Sequence, residues 1–232
     1  MQWLGWLLDL DEFATNRPSR HHHSVIVLER PDGIRIIRIS NPEEALPYQA
    51  SFAGAYQDIF SEPPYNERYF PSEAQGILRR YLSSSENICL FAIRGRSKVV
   101  GFGIGVPAVS KPDIARDLRG LLPVPHTYYL AELGVLESAR NKGIGKSLVA
   151  HRLELVDHQK YTHVVLRVSA VRNRSYSMYL EMGFDDIGVY TEVHSRRTDG
   201  RVSTDRRLFL SKLLSLRNSA LNTETGSFGT GS

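Results

Sequence analysis

The stretch YYLAELGVLESARNKGIGKSLVAHRLEL, residues 128–155, decides the fold. An apolar, strand-like run over residues 128–136 leads into RNKGIGK at residues 140–146, and an amphipathic segment follows. Gly143 and Gly145 free the backbone to curl, so that successive N–H groups from Asn141 to Lys146 can point at one spot. The positive end of the helix dipole adds its field there. The pattern predicts a strand, loop and helix that form an anion site, most suitably for phosphate.

Two common phosphate loops do not fit this stretch. A nucleotide P-loop has a glycine at the position of Arg140, and a dinucleotide fingerprint that starts at Gly143 needs glycine or alanine at the position of Leu148. Each alternative fails on one residue. The pattern that remains is Arg-x-x-Gly-x-Gly after a strand that carries Glu-Leu-x-Val.

This remaining pattern resembles the acetyl-CoA signature of the GNAT superfamily of acyl-CoA N-acyltransferases. A second block, NRSYSMYLEMGF at residues 173–184, is similar to the family's Asn-x-x-Ala/Ser-x-x-x-Tyr-x-x-x-Gly-Phe helix and following strand. The resemblance extends over residues 34–214 and is strongest over residues 128–184. It implies an α/β (α+β) fold, in which about four helices flank a mixed, mostly antiparallel central sheet.

By this resemblance the cosubstrate is acetyl-CoA. Its pantetheine arm would insert between the strands at residues 128–136 and 163–168, and its pyrophosphate would lie on the glycine loop. The expected contacts are Leu133, Gly134, Val135, Arg140, Asn141, Lys142, Gly143, Ile144, Gly145, Lys146, Asn173, Ser175 and Tyr179. Among these, the N–H groups of Leu133 and Val135 would polarise the thioester carbonyl. The chain has Arg172 where the family has its helix asparagine, so whether Asn173 replaces that residue stays open.

Two side chains are candidates for proton transfer. Glu132 is an acidic residue inside an apolar strand, which is unusual unless it is paired or functional. Tyr179 falls on the family's tyrosine and would protonate the departing CoA thiolate. We therefore expect acetyl transfer to a primary amine by direct attack in a ternary complex. The alternative is a non-catalytic sensor or interaction module that binds CoA, which the presence of both groups disfavours.

The acceptor side is expected around residues 41–82. Asn41 and Pro42 predict the start of a helix that runs to Phe60, and two prolines then precede a second helix, which starts at Pro71. Candidate acceptor contacts are Tyr56, Glu62, Tyr65, Glu67 and, on the central strand, Tyr128. Exposed loop polarity is the ordinary alternative for the loop residues. The acceptor, either a small amine such as an antibiotic or metabolite, or a protein amino group, is left open.

The remaining strands are predicted from alternation and turn residues. They cover residues 34–39, a hairpin at 87–93 and 98–108, and segments at 163–168, 188–194 and 206–214. Gly101, Gly103 and Gly105 alternate along one strand. They leave one face without side chains, either to admit a ligand or to allow close backbone packing.

Composition gives little support to several functional classes. A net charge of +4 without a long basic run gives no support to a nucleic-acid partner, and the single Cys89 excludes an internal disulfide framework. His21, His22 and His23 are adjacent, so they cannot easily converge on one metal ion, and we predict no metal site. No apolar run reaches the length of a membrane span.

The ends of the chain are expected to lie outside the domain. Residues 1–33 are interpreted as an N-terminal extension, residues 34–214 as the acetyltransferase domain and residues 215–232 as a disordered tail. Trp3, Leu7 and Leu10 would share a helical face that packs on the domain or on a second subunit, which leaves a homodimer as one option. The first residues make a poor secretory signal, and this predicts a cytoplasmic protein.

Overall fold

The computed structural model describes residues 24–214. The strands are β1 (Val25–Glu29), β2 (Ile34–Ile39), β3 (Ile88–Arg94), β4 (Lys98–Pro107), β5 (Thr127–Val135), β6 (His163–Ser169), β7 (Asp185–Arg196) and β8 (Val202–Leu213). The helices are α1 (Pro42–Ala45), α2 (Gln49–Ser61), α3 (Pro71–Leu82), α4 (Pro112–Asp117), α5 (Ile144–Leu155) and α6 (Arg174–Glu181). The predictions for residues 1–10, for His21 to His23 and for residues 215–232 lie outside the described residues.

All eight described strands form one sheet in the order β1-β2-β3-β4-β5-β6-β8-β7. Within residues 24–214, β5 and β6 are the one parallel pair, and the other neighbours are antiparallel. The four longer helices, α2, α3, α5 and α6, flank this sheet, and α1 and α4 are short. The predicted mixed, mostly antiparallel sheet with about four helices is confirmed.

The sheet begins earlier than predicted. Val25–Glu29 forms β1 and pairs with β2, so the predicted first strand is the second. The β-branched residues of β1 carried the signal for a strand, but the preceding histidines and arginines hid it among loop-like residues.

The first predicted helix is divided. Asn41 caps it as expected, since its side chain accepts from the N–H of Glu44 at 3.0 Å. However, α1 ends at Ala45, a 3-10 turn that contains Pro47 follows, and α2 begins at Gln49. Proline lacks the N–H that an α-helix needs in its interior, which accounts for the break.

Each face of the sheet packs against its own pair of helices. Strand alternation sends neighbours such as Leu90 and Phe91 to opposite sides. Leu90 packs in the core beneath α5 and α6, which includes Leu148, whereas Phe91 packs beneath α2 and α3, stacked on Phe52 at 5.4 Å between ring centroids. On α6, Tyr176 and Tyr179 are buried, whereas Leu180 is 41% exposed.

The glycine row of β4 faces α5 and is filled by protein atoms. A Cβ atom at Gly103 would lie 2.8 Å from Nε of Arg152, and one at Gly105 would lie 2.7 Å from the ring of Tyr128. The side chains of Arg152 and Tyr128 occupy this face, where close approach of backbone or a ligand was expected.

The pairing between β5 and β6 ends halfway along the two strands. Their pairing runs from Thr127 opposite His163 to Leu130 opposite Leu166. Beyond this point β5 stays with β4 and β6 stays with β8. The opening between residues 131–135 of β5 and 167–169 of β6 is called the wedge below.

Candidate active site

The glycine loop curls because two of its residues adopt left-handed backbone angles. Asn141 has φ +63° and Gly143 has φ +74°, and Gly143 is the N-cap of α5. The first bond of the helix runs from the N–H of Ser147 to the carbonyl of Gly143 at 2.9 Å. The amides of Ile144, Gly145 and Lys146 precede it and have no acceptor within the helix. The loop therefore presents free amide donors at the positive end of a helix.

Arg140 connects this loop to the segment between α2 and α3. Its Nη2 atom lies 2.5 Å from the carboxylate of Glu62, the C-cap residue that follows α2. Its Nε atom donates to the carbonyl of Val135 at 3.0 Å. Arg140 therefore links the glycine loop to the end of α2 and to β5.

The other loop residues have mixed surroundings. Asn141 accepts a hydrogen bond from Arg174 of α6, and the carbonyl of Lys142 accepts from Arg30 at 2.5 Å. Ile144 is buried in the core, while Lys146 forms an exposed ion pair with Glu181 at 3.4 Å. The loop is thus anchored by β5, α6 and the β1–β2 turn.

The end of β5 turns alternate amides toward the wedge. The carbonyl of Glu132 faces β4. It accepts a hydrogen bond at 2.9 Å from Arg152 of α5, which also contacts the carbonyl of Ile104 on β4. Because C=O and N–H point in opposite directions across a trans peptide, the N–H of Leu133 faces the wedge. Leu136 donates to Val100 of β4 at 2.9 Å, so alternation turns the amide of Val135 toward the wedge as well.

Glu132 is one of two acidic side chains that line the site. Its carboxylate accepts from the Tyr81 hydroxyl at 3.1 Å and from the Tyr56 hydroxyl at 3.4 Å. Burial raises the pKa of Glu132 to about 7, although the Tyr81 hydrogen bond acts in the opposite direction. A carboxyl group with this pKa can take up and release a proton near neutral pH.

Tyr179 reaches the same cavity from the other side of the sheet. It lies on α6 and is 6% exposed, and burial raises its pKa to about 12 against the opposing effect of the Arg152 charge. Glu132 is contacted by α2 and α3, whereas Tyr179 packs in the core beneath α5 and α6. The two side chains line one cavity because the sheet is open at the wedge.

This cavity has a volume of about 160 Å³. Its lining is rich in tyrosine and contains two acidic and two basic side chains. It is formed by Tyr56, Phe60, Tyr65, Glu67, Tyr69, Tyr81, Tyr129, Leu130, Ala131, Glu132, Leu133, Arg167, Val168, Ser175, Tyr179, Val193 and Arg207. The structure thus brings the expected residues Tyr56, Tyr65, Glu67, Ser175 and Tyr179 together with Glu132.

Two expected site residues have other positions. Tyr128 is 1% exposed, its hydroxyl donates to the carbonyl of Glu86 at 2.8 Å, and its ring packs against Tyr161. Since neighbours on a strand face opposite sides, Tyr129 lines the cavity in its place. The assignment of Tyr128 to the acceptor is corrected accordingly. Asn173 caps α6, where its side chain accepts from the N–H of Tyr176 at 3.1 Å.

A short segment, residues 65–69, lines one side of the cavity and is called the strap below. Glu67 forms a β-bridge with Arg197, and Arg68 donates to the carbonyl of Arg196 at 2.7 Å. Glu67 is 5% exposed, and its carboxylate is paired with Arg207 and accepts from Tyr69 at 2.7 Å. The strap is therefore fastened to β7 and β8, and Tyr65, Glu67 and Tyr69 of the strap line the cavity.

Several cavity residues were not expected from the sequence. Tyr69, Tyr81, Tyr129, Arg167 and Arg207 are the main ones. Arg167 carried a usable signal, because it interrupts the apolar strand VVLRV just as Glu132 interrupts β5. In the structure Arg167 donates to the Tyr129 hydroxyl at 3.1 Å. The others depend on how distant segments pack.

Two further observations concern the chain from residue 24 to residue 214. None of its helices combines the length and the apolar character that crossing a membrane requires. In the same part of the chain, His, Cys, Asp and Glu side chains nowhere gather in a group of three that could hold a metal ion.

Comparison with known proteins gives relatives for this arrangement. N-acetyltransferase 8F1 of Mus musculus is 27% identical over 135 residues, which cover 57% of this chain and 56% of the relative. N-acetyltransferase family 8 member 3 of Rattus norvegicus is 29% identical over 126 residues, which cover 54% of this chain and 50% of the relative. The chain spans about half the length of these curated relatives.

Solved structures share the fold. Ribosomal-protein-alanine N-acetyltransferase from Brucella melitensis has a TM-score of 0.55 and 20% identity, and the match covers 77% of this chain and 99% of that one. Arabidopsis thaliana NAA60 in complex with acetyl-CoA has a TM-score of 0.53 and 17% identity, with 78% and 98% covered. The family model described as acetyltransferase (GNAT) family matches residues 52–184, more than half of the sequence. The chain therefore belongs to the GNAT acetyltransferase family.

Proposed function

We propose that this protein transfers an acetyl group from acetyl-CoA to a primary amine by direct attack in a ternary complex. The observation that carries the proposal is the meeting of Glu132 and Tyr179 at the wedge, next to a glycine loop with free amides. Fold similarity to a solved complex with acetyl-CoA supports the choice of cosubstrate.

Acetyl-CoA would bind along the wedge. Its pyrophosphate would be held by the amides of Ile144, Gly145 and Lys146, with the helix dipole adding to the attraction. Its pantetheine arm would pair with the outward-facing amides of Leu133 and Val135. One of these amides would donate to the thioester oxygen, where negative charge develops as the amine attacks.

Glu132 and Tyr179 would divide the proton transfers. The attacking nitrogen forms a bond with the acetyl carbon and gives its proton to the Glu132 carboxylate, directly or through water. The carbon–sulfur bond breaks, and the Tyr179 hydroxyl protonates the sulfur. The raised pKa of Glu132, about 7, suits a base that must accept a proton from an ammonium-like intermediate near neutral pH.

The acceptor amine would occupy the space beneath the strap. The cavity lining carries two carboxylates and two guanidinium groups, so its formal charges balance, and Arg207 is paired with Glu67. We keep both acceptor classes, a small amine and a protein amino group.

The test is an acetyl-CoA turnover screen across aminoglycosides, polyamines, amino acids and peptides, with release of free CoA thiol as the measurement. The double variant Glu132→Gln/Tyr179→Phe is the negative control. Turnover with one acceptor class, lost in the double variant, supports the proposal. Tight acetyl-CoA binding without turnover of any amine would instead support a CoA-binding sensor.

A further inference from the structure

Arg152 of α5 is an arginine buried in the middle of the protein. It is 0% exposed, three main-chain carbonyls accept hydrogen bonds from it, and its guanidinium group also interacts with the Tyr179 side chain. Nε donates to Leu148 at 3.1 Å, while Nη1 donates both to Ile104 and to Glu132 at 2.9 Å. Nη2 is buried without a hydrogen-bond partner. Removing a guanidinium group from water is costly, so this placement calls for a physical reason.

Part of the reason is the junction between β4 and β5. The pairing of these strands shifts register between Ile104 and Val106, and Nη1 of Arg152 bridges the two carbonyls at this irregularity. The missing side chain of Gly103 leaves room for the guanidinium, since a Cβ atom there would lie 2.8 Å from Nε. A neutral donor could also fill this role, so the bridge alone does not explain a cation.

The positive charge of Arg152 can act on the peptide group that its guanidinium contacts. The carbonyl of Glu132 and the N–H of Leu133 belong to the same peptide, and the N–H faces the wedge. A charge-assisted hydrogen bond to the carbonyl oxygen draws electron density from the peptide nitrogen, which makes its N–H a stronger donor. It also fixes the plane of the peptide, and with it the direction of the N–H.

We propose that Arg152 is a positioning residue for acetyl transfer, which fixes and polarises the Glu132–Leu133 peptide so that the Leu133 N–H binds the thioester oxygen. The inference rests on the proposed function of the wedge. Arg152 acts through the peptide and does not itself touch the substrate. The adjacent Tyr179 hydroxyl experiences the same positive charge, which lowers its pKa against the effect of burial.

The test uses acetyl-CoA labelled with ¹³C at the thioester carbonyl, bound to the full chain without acceptor. Isotope-edited infrared difference spectroscopy measures the stretching frequency of that carbonyl. In the wild type we expect a shift to lower frequency on binding. In Arg152→Met the shift should shrink, and in Arg152→Lys, which keeps a cation, it should be partly retained. With an acceptor, kcat of Arg152→Met should fall about tenfold or more, with a smaller change in the KM of acetyl-CoA.

Two glycine variants keep the test decisive if Arg152→Met does not fold. Gly103→Ala would push a methyl group against Nε of Arg152 and should weaken the carbonyl shift without removing the charge. Gly95→Ala is the control, because Gly95 has a left-handed φ of +63° in the β3–β4 turn and a Cβ atom there would meet no other atom within 4 Å. It should lower the melting temperature and leave the carbonyl frequency unchanged.

The outcomes separate this inference from the proposed function. If the wild type does not bind acetyl-CoA, both are wrong. If it binds with a shifted carbonyl, and the folded Arg152→Met and Gly103→Ala variants show the same shift, Arg152 is only structural and the proposed function is unaffected.

Discussion

The Tyr81 hydroxyl donates to the Glu132 carboxylate across 3.1 Å, so that α3 holds the acidic group that β5 carries. This hydrogen bond favours the charged form of Glu132, whereas burial favours the neutral form and raises its pKa to about 7. Single substitutions at Tyr81 and at Glu132 test these opposing effects on the pKa separately.

Tyr81→Phe should raise the pKa of Glu132 further, because it removes a donor that stabilises the carboxylate. The measurement is kcat/KM against pH, in which the rising limb near pH 7 should move to higher pH. Tyr128→Phe is the control, since it also removes a buried hydroxyl group but lies outside the cavity. An unmoved limb in Tyr81→Phe would show that the limb reports another group.

Glu132→Gln should lower kcat by roughly 10² to 10⁴-fold while acetyl-CoA binding is retained. The variant also has a stability signature. A carboxyl group whose pKa is raised on folding binds its proton more tightly in the folded state, so its contribution to stability is present below the unfolded pKa and is lost as pH rises through about 7. Glu132→Gln should therefore gain melting temperature relative to the wild type on going from pH 5 to pH 8. A constant difference across this range would contradict the raised pKa.

Tyr179→Phe should reduce kcat with little change in the KM of acetyl-CoA, because it removes a proton donor and keeps the ring that packs against Phe184. Activity should not recover at high pH, since neutral amine does not replace a lost acid. Tyr176→Phe is the matched control on the same helix, where the hydroxyl group contacts Asp186 at 3.3 Å instead of the cavity. Equal kcat for the two variants would remove Tyr179 from the mechanism.

Gly143→Ala should weaken acetyl-CoA binding, measured by calorimetry. The left-handed φ of +74° costs a non-glycine residue about 1–2 kcal/mol, and relief of that strain would turn the amides of the loop away from the phosphates. Gly95→Ala is the control, because Gly95 also has a left-handed φ, +63°, and open space around it, but it lies in the β3–β4 turn. Both variants should lose stability, and only Gly143→Ala should lose affinity.

Tyr65→Phe should raise the KM of the acceptor more than that of acetyl-CoA, since Tyr65 belongs to the strap and lines the cavity. The ring that stacks beneath Arg207 is kept, so the strap should stay in place. Steady-state kinetics with both substrates varied gives the comparison. Tyr48→Phe serves as the control, because Tyr48 lies in the turn before α2 and its hydroxyl group contacts Ser24 at 3.4 Å instead of the cavity. Equal changes in both KM values would count against the strap as the selector.

The sequence supported the fold better than it supported the site. Glycine turns, proline starts and apolar alternation are local signals, and they predicted α3, α5, α6 and most strands close to their observed bounds. Pro47 divides the first helix, a local effect that the regular apolar spacing around it concealed.

The site depends on contacts that no local pattern contains. Glu132 could be predicted as a site residue, because a charged side chain is rare inside an apolar strand. Arg152 lies in a helix segment, HRLEL, that resembles an ordinary exposed helix turn. Its burial follows from Gly103, which is far away in sequence and opposite in space. Tyr81 likewise acquires its role only when α3 packs over β5.

The wedge also has a thermodynamic consequence. Where β5 and β6 separate, the sheet has room for one more extended chain, and the outward amides of Leu133 and Val135 are donors without a strand beside them. A ligand that fills this gap binds the folded chain and not the unfolded one, so it must raise the free energy of unfolding, by about 2.7 kcal/mol at a hundredfold excess over its Kd. Acetyl-CoA, CoA and longer acyl-CoA esters can therefore be ranked by melting temperature alone, before any acceptor is known.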